Sequence, residues 1–144
     1  MDKRILGIDF GNVRIGVAVS DPLRIIAQAV GTFQNNATIF DELERLAKEY
    51  DVGLVVVGMP YTLKGEKGIK ADEVDKFIID LKKKLLMDVV SLDERFTSRI
   101  AQQTLIQMGT TKKQRRTNKG KVDAMASALI LQSFLDQTKH SIGC

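Results

Sequence analysis

Cysteine and histidine are almost missing from this chain: Cys144 is the only cysteine and the last residue, and His140 is the only histidine. A single cysteine leaves no disulfide framework and no Cys-based metal site. A single histidine near the C-terminus leaves a Ser-His-Asp or Cys-His arrangement without a convincing base. Zinc held by His and Cys is disfavoured on the same ground. No apolar run approaches the roughly 18 residues of a membrane span. The chain enters an apolar strand within a few residues of Met1, with no room for a secretory leader. The expectation is a cytoplasmic protein with no membrane partner. An enzyme of this composition must work with carboxylates, hydroxyls, Lys and Arg. Carboxylate ligands select a hard cation, Mg²⁺ or Mn²⁺.

The 144 residues suit one domain with a substantial core. That domain is expected over residues 1–138, with a frayed tail at 139–144. Lys and Arg total 22 against 18 Asp and Glu, a net charge of +4. The excess is mild, and its distribution says more than its size.

The most informative stretch is Leu6–Asp21, LGIDFGNVRIGVAVSD. An apolar strand runs into Asp9, a Gly11-Asn12 turn follows, and a second apolar strand returns from Ile15 to Val19. Gly-Asn between β-rich runs predicts a short hairpin, since both residues tolerate φ > 0. With a two-residue loop, Asp9 faces Arg14 and Gly7 faces Gly16. One face then holds Asp9, Gly7, Gly16 and Ala18, and Leu6, Ile8, Ile15, Val17 and Val19 fill the other. A carboxylate among residues with almost no side chain has room beside it for an ion or a phosphate backbone.

Asp21-Pro22 marks a turn, and Ile25–Phe33 reads as a third strand. Ile39, Phe40, Leu43, Leu46 and Ala47 have helical spacing within Thr38–Tyr50, with Asn36 or Thr38 as the cap. Val52–Val57 is a short, continuously apolar strand covered on both faces. Tyr61–Gly68 is a polar loop; with Gly58, Pro60, Gly65 and Gly68 it reads as a strand-to-helix connection or a mobile substrate loop. A charged helix is predicted over Ile69–Leu86, with Ile69, Val74, Phe77, Ile78, Leu81 and Leu85 on its buried side. Asp88–Leu92 is a fifth strand, Thr97–Met108 a helix, and Val122–Leu135 a final helix apolar nearly all round. The result is a mixed α/β sheet with an antiparallel section and helices on its faces.

Three carboxylates stand where the chain leaves or enters a buried element: Asp9, Glu94 and Asp123. Sites in open α/β sheets gather at strand ends, so Asp9 and Glu94 can meet there. Ala124, Ala126, Ser127 and Ala128 let the last helix sit close to the sheet and bring Asp123 to the other two. Each has a plainer role. Asp9 suits a cross-strand ion pair with Arg14, Asp93 and Glu94 suit the N-terminus of the next helix, and Asp123 suits a capping position. Lys112, Lys113, Arg115, Arg116, Lys119 and Lys121 fall in one segment with no apolar periodicity, just before the helix that carries Asp123. This segment is either a solvated loop or a phosphate-backbone anchor. It holds no aromatic residue for base stacking, so sequence preference must come from elsewhere. Arg95, Thr97 and Ser98 suit a phosphate at a helix N-terminus, and Thr97 or Ser98 equally suits an N-cap.

Taken together, LGIDFGNVRIGVAVSD (6–21), GMPYTLKGEKG (58–68), LDERFTS (92–98) and GKVDAMASALILQSFLD (120–136) resemble the YqgF/RuvX family of the RNase H-like superfamily. The resemblance implies a five-stranded mixed sheet, three antiparallel strands then two parallel, with helices on both faces. Asp9, Glu94 and Asp123 match the family's acidic metal-binding triad. The implied activity is a metal-dependent nuclease maturing the 5′ end of precursor 16S ribosomal RNA, with the ribosomal subunit or assembly factors as further partners. An older assignment is cleavage of Holliday junctions in branched DNA. The implied chemistry uses two Mg²⁺ or Mn²⁺ ions held by the triad, one activating water and one stabilising the leaving 3′-oxygen. Arg14 and Tyr61 join the basic residues as expected nucleic-acid contacts, Tyr61 by stacking on a base. A non-catalytic RNA-binding assembly factor is the alternative from another class. An actin-like ATPase or kinase is disfavoured, since those enzymes clamp nucleotide between two such domains.

Overall fold

A computed structural model describes the chain over residues 3–60, 68–93 and 119–142, with side chains of the last segment described from 124 to 138. Five strands form one sheet: β1 (Arg4–Asp9), β2 (Arg14–Ser20), β3 (Ala27–Gln34), β4 (Val52–Met59) and β5 (Asp88–Asp93). Their order is β3-β2-β1-β4-β5. The pairs β1–β2 and β2–β3 are antiparallel, whereas β1–β4 and β4–β5 are parallel. The described helices are α1 (Ile39–Glu49), α2 (Ile69–Leu85) and α3 (Lys119–Ile142). The expected five-stranded mixed sheet, three antiparallel strands then two parallel with helices on both faces, is the observed one.

The alternation within β1 and β2 determines what each face of the sheet packs against. Leu6, Ile8, Ile15, Val17 and Val19 join Val55 and Val57 of β4 in the larger core, under Leu43 and Leu46 of α1 and Val74, Phe77 and Leu81 of α2. Ile5, Ala18 and Val56 face the other way, under Ala128, Leu131 and Leu135 of α3. The expected face assignment therefore holds, but the register does not. Asp9 pairs with Gly16 and Gly7 with Ala18, a shift of two residues that keeps every side chain on its face. Phe10–Val13 separate β1 from β2. Among the described non-glycine residues positive φ occurs at Arg24, Asp51 and Leu86, and among the glycines at Gly31. The hairpin therefore does not use the left-handed turn that Gly-Asn suggested. Gly11 is needed for another reason: a Cβ there would collide with the carbonyl oxygen of Arg14.

Several boundaries move. β3 starts two residues later than expected, because Asp21 organises the preceding turn. Its Oδ1 accepts from the N–H of Ile25 (2.7 Å) and of Ile26 (2.8 Å). Burial pushes the Asp21 carboxyl up, but the N–H groups of Ile26, Ile25, Asp21 and Leu23 outweigh it and hold the group below its ordinary value. Thr38 occupies the α1 N-cap position without a side-chain cap bond. Asn36 Oδ1 instead accepts from the Thr38 N–H (3.0 Å) and hydroxyl (2.7 Å).

Ile69 was expected on the buried side of α2 and is 82% exposed. The buried stripe runs through Ala71, Val74, Phe77 and Leu81, and at ~100° per residue position 69 points away from it. β4 extends to Met59 and α3 extends to Ile142, both beyond the apolar runs that predicted them. Among the described residues no helix is long and apolar enough to cross a membrane.

Candidate functional site

The three parallel strands β1, β4 and β5 end at the same edge of the sheet. Ile8 is level with Val57, and Met59 with Asp93. Strand carboxyl ends are where open α/β sheets hold ligands, because the turns there leave a crevice lined by loop residues. Asp9 closes β1 at this edge and is half-buried. It lies on the α3 face, since Ile5 and Ala18 on that face share its alternation and its partner Gly16 is next in line.

α3 approaches this face closely. A Cβ on Gly7 would lie 2.6 Å from Leu131 Cβ and 3.1 Å from the Ser127 carbonyl oxygen. Only glycine at position 7 permits that contact without displacing the helix. Small residues on the helix side do the rest: of the four expected, Ala124, Ser127 and Ala128 are buried and Ala126 is half-buried, and the Ser127 hydroxyl bonds back to the Ala124 carbonyl (2.5 Å).

Gln132 fixes the direction of the helix. Its Oε1 accepts from the Ala27 N–H (2.8 Å) and its Nε2 donates to the Ile25 carbonyl (3.0 Å). Ala27 is opposite Ser20, whose hydroxyl accepts from the Ile5 N–H (2.8 Å). Gln132 therefore stands at the start of β1, and Ser127 and Leu131 stand over Gly7. α3 runs antiparallel to β1, with its N-terminal end towards Asp9. Two residues of strand and one helical turn cover similar lengths, about 6–7 Å and about 5.4 Å. The α3 backbone at position 123, one turn before Ser127, accordingly lies towards the Asp9 end of the sheet.

Of the expected site residues, Asp9 and Arg14 have described side chains. Arg14 opens β2 opposite Gln34, not opposite Asp9, because of the two-residue register shift. Lys119, Lys121 and Asp123 lie on the α3 backbone, with side chains outside the described set. Glu94 follows Asp93, the last residue of β5, and is itself outside the described residues. Tyr61, Gly65, Arg95, Thr97, Ser98, Lys112, Lys113, Arg115 and Arg116 are outside them as well, as is the helix expected over Thr97–Met108. Among the described residues no three His, Cys, Asp or Glu side chains cluster as a metal site.

Two positioning residues went unnoticed in the sequence. Gln132 is 2% exposed; its signal was an amide in an otherwise apolar helical run. Asn35 donates from Nδ2 to the Gly11 carbonyl (2.8 Å), and its backbone N–H bonds the Val13 carbonyl (2.9 Å). Together these bonds tie the β1–β2 loop beside Asp9 to the end of β3.

The family model RuvX, described as Holliday junction resolvase, matches residues 3–137. The chain belongs to the RuvX family. A relative from Sulfurihydrogenibium sp. is 41% identical over 96% of this chain and 94% of its own length, and carries the name "Putative pre-16S rRNA nuclease". A relative of the same name from Chlorobaculum tepidum is 42% identical over 93% of this chain and 94% of its own. Among solved structures, Thermus thermophilus RuvC in complex with a Holliday junction substrate superposes with a TM-score of 0.61 at 11% identity, covering 94% of this chain and 95% of that one. The Fowlpox virus resolvase complexed with Holliday junction DNA gives a TM-score of 0.58 at 14% identity, covering 94% and 98%. At these identities the two structures show a shared fold. RuvX membership and the ordered sheet agree with the family expected from the motifs.

Proposed function

We propose that this RuvX chain is a divalent-metal-dependent endonuclease that hydrolyses phosphodiester bonds in precursor 16S ribosomal RNA. The observation that carries the reading is Asp9: a half-buried carboxylate at the end of β1, on the face where Gly7 lets α3 come down onto the sheet. The names of relatives that align over nearly the whole chain support the substrate.

The residues present suit a hard cation. The donors on offer are carboxylates, and Gly16, opposite Asp9, adds no side chain beside it. Asp9, Glu94 and Asp123 are the proposed ligands and catalytic residues: Asp9 from β1, Glu94 from the residue after β5, and Asp123 from α3 one turn before Ser127. When bound, Mg²⁺ or Mn²⁺ supplies an activated water and charge neutralisation at the leaving oxygen. The protein's own part is to hold the strand and keep the carboxylates together. In this reading the close packing of α3 on Gly7 brings the start of the helix, and Asp123 with it, towards Asp9.

Lys112, Lys113, Arg115, Arg116, Lys119 and Lys121 anchor the phosphate backbone in this reading. Arg14, Arg95, Thr97 and Tyr61 contact the nucleotides around the scissile bond. Binding through so many cations weakens steeply with salt.

The second reading is a Holliday junction resolvase, favoured by the family's description and by the fold shared with the Thermus enzyme. Paired cuts in a four-way junction call for a two-fold dimer. The two are separated by incubating the protein with a labelled RNA carrying the 16S precursor 5′ junction and, in parallel, with a four-way DNA junction. Each is run with Mn²⁺, with Mg²⁺ and with EDTA. We expect metal-dependent cuts in the RNA. Cuts only in the junction would replace the first reading by the second, and salt-sensitive binding without cleavage would make the chain a binding factor.

A further inference from the structure

A cleft of about 330 Å³ opens on the side of the sheet away from α3. It lies where the β1–β2 loop meets α1 and α2. Its walls include Phe10, Phe40 and Phe77. Phe77 is the centre of an aromatic group, with the Phe10 ring 5.0 Å away and tilted, and the Phe40 ring 5.4 Å away and stacked. Asn12 and Asn35 line the loop side, and Glu73, Lys76 and Asp80 line the α2 side. The two acids stand three and four residues from Lys76 on α2, a spacing that favours ion pairs. The ion pairs found among the described residues nevertheless leave these three out. The Asn35 amide is oriented by its bond to the Gly11 carbonyl.

We infer that this cleft is a pocket for one unpaired nucleobase of the bound strand. The inference rests on the nuclease reading for its source of RNA, and on the cleft for its chemistry. Flat aromatic walls bounded by amides and charges of both signs match a purine or pyrimidine, which offers two π-faces and a hydrogen-bonding edge. Glu73 and Asp80 outnumber Lys76, so the pocket disfavours a phosphate and accepts from an N–H-rich edge. Guanine fits best, since its N1–H and N2–H present a pair of donors that a carboxylate accepts together. Phe10 directly follows Asp9, and strand alternation sends their side chains to opposite faces of the same strand end. A single strand crossing that edge would leave a phosphate by Asp9 and place a neighbouring base against Phe10.

The test is an abasic scan. A labelled eight-residue single-stranded RNA, abasic at one position at a time, is titrated with the protein in EDTA and followed by fluorescence anisotropy. One position is expected to lose about tenfold in affinity, within the range of base–aromatic stacking. In Phe40→Leu that sensitivity disappears, and the intact RNA binds more weakly by the same factor. A flat scan, or a sensitive position that stays sensitive in the variant, overturns the pocket. Asp80→Asn, a milder change at the rim, provides a second route. Guanosine 5′-monophosphate is expected to shift amide resonances of Asn12, Asn35 and residues 73–80 more than uridine 5′-monophosphate does, with the preference reduced in the variant. No shift from either nucleotide at millimolar concentration overturns it too. Cleavage measured alongside separates the two ideas: a flat scan with metal-dependent cleavage intact removes the pocket alone, and a coupled scan without cleavage removes the nuclease alone.

Discussion

On the α1/α2 side of the sheet, large aliphatic and aromatic side chains fill the space between layers, with Leu43, Leu81 and Val55 wholly buried. On the α3 side, Gly7 of the sheet meets Ser127 and Leu131 of the helix, Ala18 packs with Ala128, and the backbones come close. Gln132 and Ser133 are buried there too. The first face holds the domain together by apolar area. The second sacrifices side-chain volume for proximity, which makes sense if Asp9 and the beginning of α3 must share one site.

Substitutions that respect this division should separate stability from activity. The largest loss of stability is expected from Leu43→Ala, about 2–5 kcal/mol, measured as a shift in the urea unfolding midpoint. Cleavage per folded molecule should stay at the wild-type level, because no part of the Asp9 face changes. A parallel loss of specific activity would show that the two faces are not independent.

Gly7→Ala is expected to cost less stability, about 1–3 kcal/mol for a forced methyl in a packed contact. Its cleavage rate should fall by more than that of Leu43→Ala. The added Cβ meets Leu131 Cβ and the Ser127 carbonyl rather than the flexible end of a side chain, so α3 must move. Unchanged cleavage in Gly7→Ala would break the link between helix approach and site assembly.

Gln132→Leu keeps the volume but strips the Ala27 N–H of its acceptor. Leaving a buried donor unpaired costs about 1–3 kcal/mol. Hydrogen exchange at the Ala27 amide should rise in this variant, and protection as strong as in wild type would mean that another acceptor has replaced the amide.

The smallest effect concerns Asp21 and depends on pH. Its folded pKa lies below the ordinary carboxylate value of 3.8. The stabilisation is therefore present above that unfolded value and is lost as pH falls through the folded one. Urea midpoints of wild type and Asp21→Ala should differ near neutral pH and converge in acid. A constant difference down to the acid end would contradict this origin.

Much of this architecture was legible because apolar alternation and helical spacing have physical causes that act locally. Leu6, Ile8, Val17 and Val19 could face only one core, and a register error of two residues left that face assignment intact. The hairpin register was less accessible. It depends on the Gly11 approach to the Arg14 carbonyl, a backbone contact that side-chain patterns do not report, and on the Asn35 bonds, which come from beyond the hairpin. Ile69 was misassigned by counting apolar residues instead of angles around the helix. At the candidate site, Asp9 and the small residues of α3 could be picked out, since a carboxylate in an apolar strand and a run of Ala and Ser in an apolar helix are unusual choices. Gln132 stood out only as an amide in an apolar run, and its role could not be read, because its partners Ala27 and Ile25 are more than 100 positions away.

The most direct test of the Asp9-centred account is Asp9→Asn, assayed for RNA cleavage with Mn²⁺ and for RNA binding in EDTA on the same preparation. The predicted result is cleavage reduced below detection with binding within about twofold of wild type, since the change removes a charge needed for chemistry and leaves the cationic backbone contacts in place. Cleavage at the wild-type rate, or binding lost together with cleavage in a folded variant, would contradict the account.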